Sequence, residues 1–543
     1  MKENKVKQHG AVRTVALGTL VLSISGILVK TVGLLFKIPL TNMIGESGMG
    51  YFGSAYMIYS FFYVISTAGL PVALSILVSS ARARGDLPYC RRIMEVAMRL
   101  FSVIGLVLSF LMFFGAGAFA SAISNPGAAE SIAYLSPTVF FVCVISAYRG
   151  YFQGFEYMLP TAVSQITEAL GKLFFGLLLA GYAMKSGKSV ETVAAYATLG
   201  ISLSEALSML SLMACRISFR DDRLKSGECP DSTSSKWLIK RLLKTAFPIT
   251  ASSAVMSLSG LLDLAVVMRR LQYIGYTPEL SNALYGSYTA LAVPLFNLPS
   301  VLITPLACSV VPYIAKAVAS GDPGAARESV RKALKYAVLI SVPCSLGLYV
   351  MAEPILTLIF GANAASGASL YLSLLSIAIP FVALTSVTVS VIQASGHMSV
   401  PIVSMTAGAL FKLVFAWTLI GVFGMAGAPV STVICYSVIS LIDLCYMEHK
   451  MDMSVGLLHL VIMPITAAFI SVSAAHILFI ALENRLGSAA CLISVVLAAV
   501  IYFAAVLISG YVDIEELEHL PVIGGLFVKI RRKMKKRKSS NEA

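Results

Sequence analysis

Lys30 and Lys37 stand seven residues apart in an apolar run long enough to cross a bilayer. Seven residues make two helical turns, so both side chains leave one face, with their Cα atoms roughly 10 Å apart along the axis. Gly26 and Gly33 lie on nearly the same side and leave little bulk beside them. An ionisable residue at mid-membrane costs on the order of a few kcal/mol, so it faces a cavity or a partner. A cationic stripe in such a cavity suits a phosphate or pyrophosphate, because a low dielectric strengthens the attraction. The plainer reading of Lys37 is a side chain that snorkels to the outer interface. Glu168 and Lys172 are spaced i,i+4 in a later run, where a self-neutralising pair is the plainer reading. Glu205 lies mid-run with no local partner, and Lys30 or Lys172 are its expected mates. Asp263 falls in the outer part of its run, and Lys412 mirrors Lys172. These seven residues are the candidate lining of a central substrate cavity. Asp443 and Arg99, nearer the ends of their runs, read as interfacial.

The elements that position them follow from composition. The chain has 543 residues, 57% hydrophobic and 13% charged, with mean hydropathy +0.84. Soluble domains carry about 25% charged residues, so an ordinary cytosolic enzyme is excluded, as are disorder, collagen and a disulfide scaffold. An all-α polytopic membrane protein remains. The net charge of +14 reads as basic cytoplasmic loops, and no nucleic-acid partner is expected. The nine cysteines sit singly, without Cys-x-x-Cys, and the six histidines show no ligand spacing. No phosphate-cradling glycine loop, nucleophile elbow or His-Glu-x-x-His appears. The chain therefore reads as no enzyme and as holding no metal or cofactor, with an ion gradient or the membrane potential as its energy source. The basic start, Met1 to Arg13, leads into a retained first span.

Walking the chain gives fourteen candidate helical spans, centred near residues 28, 66, 107, 142, 170, 203, 254, 302, 342, 382, 411, 435, 469 and 499. With the N-terminus in the cytoplasm, 31 of the 41 Lys and Arg fall on cytoplasmic segments, 5 on outside loops and 5 within spans. Arg149 is counted among the cytoplasmic ones. This asymmetry supports the orientation, both termini inside, and an even number of spans.

The halves repeat. Tyr134-Leu135-Ser136 returns as Tyr371-Leu372-Ser373, Gln153 as Gln393, and Ala169-Leu170-Gly171-Lys172-Leu173 as Ala409-Leu410-Phe411-Lys412-Leu413. Pro71-Val72-Ala73-Leu74-Ser75 is echoed by Pro305-Leu306-Ala307-Cys308-Ser309. The expected plan is an N-terminal lobe (1–217, spans one to six), a cytoplasmic linker (218–236) and a C-terminal lobe (237–450, spans seven to twelve). Two extra spans (451–511) and a basic cytoplasmic tail (512–543) complete it. Two six-helix lobes of like orientation imply a pseudo-two-fold axis along the membrane normal. Prolines within spans, Pro71, Pro137 and Pro380 among them, fit helices that bend or line a cavity. The tail, Lys529 to Lys538, suits anionic inner-leaflet lipid.

Lys37-Ile38-Pro39-Leu40-Thr41-Asn42-Met43-Ile44-Gly45-Glu46-Ser47-Gly48-Met49-Gly50 resembles the first span and loop of the stage V sporulation protein B-like polysaccharide exporters. So do Ser66-Thr67-Ala68-Gly69-Leu70-Pro71-Val72-Ala73 and Arg149-Gly150-Tyr151-Phe152-Gln153-Gly154. These exporters belong to the multidrug/oligosaccharidyl-lipid/polysaccharide flippase superfamily, alongside the lipid II flippases. The resemblance implies a V-shaped pair of lobes working by alternating access in the bacterial cytoplasmic membrane, on a lipid-linked glycan, beside the proteins of envelope synthesis. It implies a basic residue of span one at Lys30, a second charged position near Lys37, and a lipid tail on the two extra helices. Span eight departs from the pattern: Pro294-Leu295-Phe296-Asn297-Leu298-Pro299 stands where such flippases place Arg and Glu before a Phe-Pro. The expected function is a flippase for a polyprenyl-pyrophosphate-linked saccharide in cell-wall, peptidoglycan or sporulation synthesis. A cation-coupled multidrug exporter, working through Glu168 and Glu205, and a non-transport envelope or spore scaffold are the alternatives. Loss of activity in Lys30→Ala marks the first reading and in Glu205→Gln the second, and neither change should affect the third.

Overall fold

Each apolar run that the sequence sets across a bilayer, the eighth excepted, has a helix at its centre. The computed structural model describes residues 2–218, 234–300, 303, 323–397, 399–452 and 456–511, and these are helical with no strand among them. Most of span eight, most of the linker and the whole basic tail lie outside the described residues. Nine described helices are long and apolar enough to cross a membrane, or eleven if two bent pairs each form one span. Two of the nine, Leu28–Ala83 and Ser399–Lys450, run to 56 and 52 residues, far beyond the roughly 20 that one crossing needs.

Both long runs are broken by glycine. The helix α1 (Lys2–Thr67) breaks at Gly45, whose φ of 65° is a conformation that L side chains resist. After a second break at Ala68 and Gly69 the chain enters α2 (Leu70–Ala83), with a proline in its first turn. There follow α3 (Leu87–Phe114), α4 (Ala116–Ala122), α5 (Ala129–Gly154), α6 (Leu159–Lys185), α7 (Val190–Ser218), α8 (Ser235–Tyr273) and α9 (Pro278–Gly286). A π-helical stretch, Ser287–Ala292, leads into α10 (Val293–Phe296). Beyond residue 322 come α11 (Pro323–Val350), α12 (Ala352–Phe360), α13 (Ala362–Ser376), α14 (Ile379–Ala394), α15 (Ser399–Phe423), α16 (Gly427–Lys450), α17 (Leu457–Leu486) and α18 (Ser488–Ile508).

The chain gathers into two compact units. One is Met1–Leu295 with Met405–Cys435, the other Phe296–Ser404 with Tyr436–Ala543. In the first, Leu74, Val78, Phe101, Tyr151 and Phe152 form a core between α2, α3 and α5, closed by Leu212 of α7 and Leu242 of α8. Small residues set the helix spacing. Gly171 lies against Ser204, and Gly176 backs directly onto Gly200, so α6 and α7 meet backbone to backbone. Close approach of this kind is how helices associate where lipid is as apolar as their side chains. Beyond the Gly45 break, Asn282 of α9 donates to the Ser47 carbonyl at 2.6 Å. Asn125 donates to Asn282 Oδ1 at 2.8 Å and to Ser54 Oγ at 3.0 Å, so these buried amides are satisfied.

In the second unit the core runs through Val330, Leu334 and Val338 of α11, Val387 and Val391 of α14, Ala467 and Ala468 of α17, and Tyr502 and Val506 of α18. The Tyr502 hydroxyl donates to the Leu339 carbonyl at 2.8 Å. A serine-to-carbonyl bond joins two helices in each unit. Ser109 of α3 donates to the Ser136 carbonyl of α5 at 2.9 Å, and Ser345 of α11 donates to the Ser376 carbonyl of α13 at 2.8 Å. The two bonds are alike in kind but not in register, since the sequence repeat pairs Ser136 with Ser373, whose hydroxyl donates to the Tyr349 carbonyl at 3.0 Å. Large apolar side chains point outward along α3, α15, α17 and α18, with Phe114 79% and Ile508 86% exposed. Such surfaces belong in lipid, and helices that satisfy their own backbone can lie there.

Candidate functional site

The buried charges of the first unit assemble across four helices. Arg149 of α5 pairs with Glu168 of α6, Nη2 to Oε2 at 3.2 Å, both side chains under one-fifth exposed. Its Nε donates to Ser164 Oγ at 3.0 Å. Ser208 of α7 donates to the Ser164 carbonyl at 3.0 Å, tying a third helix to this point. Glu205 of α7 is 2% exposed. Its carboxyl turns toward Glu168, with Lys172 and Arg149 as its cationic neighbours.

Lys172 follows Glu168 by one helical turn, so both leave the same face of α6. Its Nζ lies 5.7 Å from the Tyr56 ring centroid, within the range of a cation–π contact. Tyr56, Tyr59 and Tyr63 form a ladder on α1, with ring centroids 5.5 and 5.7 Å apart. Glu205 acts on Tyr59, and Glu168 on Tyr63. Lys172 is also the charged group that acts on Lys37 of α1. Neither lysine makes a salt bridge with a described residue. The order is therefore Lys37, then Lys172, then the Glu168 and Glu205 carboxyls, then Arg149. Three cations face two carboxylates, and the unmatched charge lies at the Lys37 end.

A second pair stands apart. Lys412 Nζ of α15 meets Asp263 Oδ2 of α8 at 2.9 Å, with side chains 16% and 10% exposed. Tyr288 and Cys435 border the lysine.

Of the seven residues expected from sequence, Lys37, Lys172, Glu168 and Glu205 share one neighbourhood, and Asp263 and Lys412 form another. Lys30 is exposed and is not among the groups acting on Lys37, Lys172 or Glu205. Of the two mates expected for Glu205, Lys172 is the one beside it. Glu168 pairs with Arg149, not with Lys172 as the i,i+4 spacing suggests. Arg149 corrects the loop count: α5 continues to Gly154, so the guanidinium sits inside a helix, held by α6. Its carboxylate partner, 19 residues on, is invisible to helical periodicity. The tyrosine ladder was legible as a 56, 59, 63 spacing on one helix face. Asp443, expected near an interface, is fully buried within the protein.

The polysaccharide biosynthesis protein family matches residues 15–318, and the MatE family matches residues 286–418. Stage V sporulation protein B of Bacillus subtilis (strain 168) is 24% identical over 531 residues, 96% of this chain and 100% of that protein. The lipid II flippase MurJ of the same organism is 25% identical over 438 residues, 77% of this chain and 80% of that protein. Among solved structures, the lipid II flippase MurJ in an inward closed conformation superposes with a TM-score of 0.69 at 14% identity, covering 90% of this chain and 98% of that one. This likeness concerns the fold.

Proposed function

The chain belongs to the polysaccharide biosynthesis protein family, and from that premise we propose that it moves a polyprenyl-pyrophosphate-linked saccharide from the inner to the outer leaflet by alternating access. The cargo is a lipid II-like or other cell-envelope glycan precursor. The observation that carries this reading is the excess of cations in this group: Lys37 of α1, Lys172 of α6 and Arg149 of α5 face Glu168 and Glu205, and neither lysine makes a salt bridge with a described residue. Like charges held close in a low-dielectric setting repel, and a bound diphosphate would turn that repulsion into attraction. Arg149 has a different role. It forms the salt bridge with Glu168 at 3.2 Å, so Lys172 shares that carboxylate and does not own it. The lobes 1–217 and 237–450 would be the moving bodies, with both termini in the cytoplasm as the charge asymmetry indicates. The apolar outer faces of α17 and α18 suit the polyprenyl tail, because a chain of buried CH₂ groups gains about 0.8 kcal/mol each.

Cation-coupled multidrug export is the second reading. It draws on Glu205, whose buried Oε2 lacks a hydrogen-bond partner among the described residues.

The test is a leaflet-accessibility assay on purified protein in liposomes containing a polyprenyl-diphosphate sugar. Lys37→Ala and Lys172→Ala should each lose translocation, and Lys172→Arg should retain part of it. Translocation unchanged in both alanine variants would remove the phosphate role from these lysines. Loss in Glu205→Gln of drug efflux, with no movement of the lipid by the wild type, would support the second reading.

A further inference from the structure

The buried carboxylates of the described helices differ in one respect. Glu168 has Arg149, Asp263 has Lys412, and Glu205 has Lys172 and Arg149 nearby. Asp443 of α16, in the second unit, has only hydroxyls. It is 0% exposed. Its Oδ2 accepts from Thr388 Oγ1 of α14 at 3.0 Å, and Ser404 of α15 faces the same carboxyl. Oδ1 has no hydrogen-bond partner among the described residues. No described Lys, Arg or His acts on it. The sequence of α14 contains no ionisable side chain. On α15 the ionisable group is Lys412, two turns beyond Ser404 and engaged with Asp263. On α16 itself Glu448, His449 and Lys450 fall in the last turn, after Cys445 and Tyr446. The α11 helix, which packs on α14, carries Arg331, Lys332 and Lys335, and Lys332 pairs with Glu328.

The first half shows what is missing. Ser164 and Ser404 are 240 residues apart, the same offset as Lys172 and Lys412. At Ser164 the chain supplies a guanidinium, Arg149, which balances Glu168. At Ser404 the described residues supply a carboxyl and no cation. A buried bare charge is costly, and no described side chain supplies the balancing charge.

The hydroxyls favour a proton as that charge. Thr388 Oγ1 reaches Asp443 Oδ2 at 3.0 Å and also the Thr385 carbonyl at 3.2 Å. Ser404 Oγ reaches the Pro401 carbonyl at 3.2 Å as well as facing Asp443. A hydroxyl has one proton to give. When Asp443 is ionised, both hydroxyls turn to it. When it is protonated, it donates to a hydroxyl, and the hydroxyls turn back to the carbonyls of their own helices. Each arrangement leaves every hydroxyl proton placed, and the change between them needs only rotation about two C–O bonds. We propose that Asp443, with Thr388 and Ser404, is a proton-binding site by which this unit takes up and releases the proton that drives transport. The transport part rests on the function proposed above, and the proton site does not.

The decisive measurement is therefore made without substrate. Infrared difference spectra of the full chain in liposomes are recorded on changing pH, for wild type, the near-isosteric Asp443→Asn, and Thr388→Val. A carboxylic-acid carbonyl band that titrates in wild type, vanishes in Asp443→Asn and shifts in Thr388→Val is expected. A band that does not titrate, or that survives in Asp443→Asn, overturns the site. So does a carboxylate band that responds to sodium at constant pH, since the cation is then sodium. In the second arm, an imposed pH gradient should accelerate translocation of a polyprenyl-diphosphate sugar by wild type, and Asp443→Asn should run at its gradient-free rate. Acceleration retained in Asp443→Asn overturns the coupling. A wild type that moves no lipid overturns the flippase reading, while the spectra still decide the proton site.

Discussion

Breaking the Asp263–Lys412 pair should cost the protein far more than removing it whole. At 2.9 Å and an effective dielectric of about 20, the Coulomb attraction is about 6 kcal/mol, set against the desolvation of both ions. Lys412→Met leaves Asp263 nearly buried, with Oδ1 already lacking a hydrogen-bond partner among the described residues. The expected loss is about 3–5 kcal/mol. The double change Asp263→Asn with Lys412→Met removes both charges at similar volume and should return stability to near that of wild type. The coupling energy, read from a double-mutant cycle with Asp263→Asn alone, should be about 3 kcal/mol. Reversible unfolding by SDS in mixed micelles is a suitable assay, since it compares helix packing within an amphiphile throughout. Additivity of the two single changes to within about 0.5 kcal/mol would refute the argument and reduce the contact to a chance approach of two solvated groups.

Arg149→Leu should destabilise the first unit or prevent its folding, because it leaves the Glu168 and Glu205 carboxyls with Lys172 alone; adding Glu168→Gln should restore much of the loss, as seen in the yield of monodisperse protein. Gly200→Val should destabilise by about 1–3 kcal/mol through overpacking, because a Cβ there meets the Gly176 backbone, whereas Gly26→Ala, with nothing within 4 Å of its added Cβ, should leave SDS resistance unchanged.

Much of the fold could be read from the chain because a bilayer imposes so few solutions. Apolar runs become helices wherever backbone groups have no water to bond to, and the run centres carry through for that reason. The breaks at Gly45 and Gly69 were written in the glycines and prolines beside them. The site was only half legible. Deep lysines and glutamates announce themselves by their cost in lipid, so Lys37, Lys172, Glu168, Glu205, Asp263 and Lys412 could all be named. Their pairings could not, because a contact between Arg149 and Glu168, or between Asp263 and Lys412, depends on which faces of separate helices meet. Spacing along one helix reports only neighbours on that helix, which is why it offers Lys172 to Glu168 and says nothing of Arg149. Asp443 was misjudged for a related reason: distance from a helix end measures depth, and burial depends on what packs alongside.

The offset of 240 residues that Ser164 and Lys172 share with Ser404 and Lys412 has an evolutionary consequence. A doubled ancestor would have kept that frame while its charges were rewritten: Arg149 with Glu168 on one side, Asp443 with hydroxyls on the other. Scaffold and cargo chemistry are then separable inheritances. A tandem of two first halves should still find its helix pairings, yet it would carry the cationic group twice and the lone carboxyl not at all. Such a chimera would keep a two-fold axis along the membrane normal, and with it the difference between inside and outside, while lacking the carboxyl that the proton site needs.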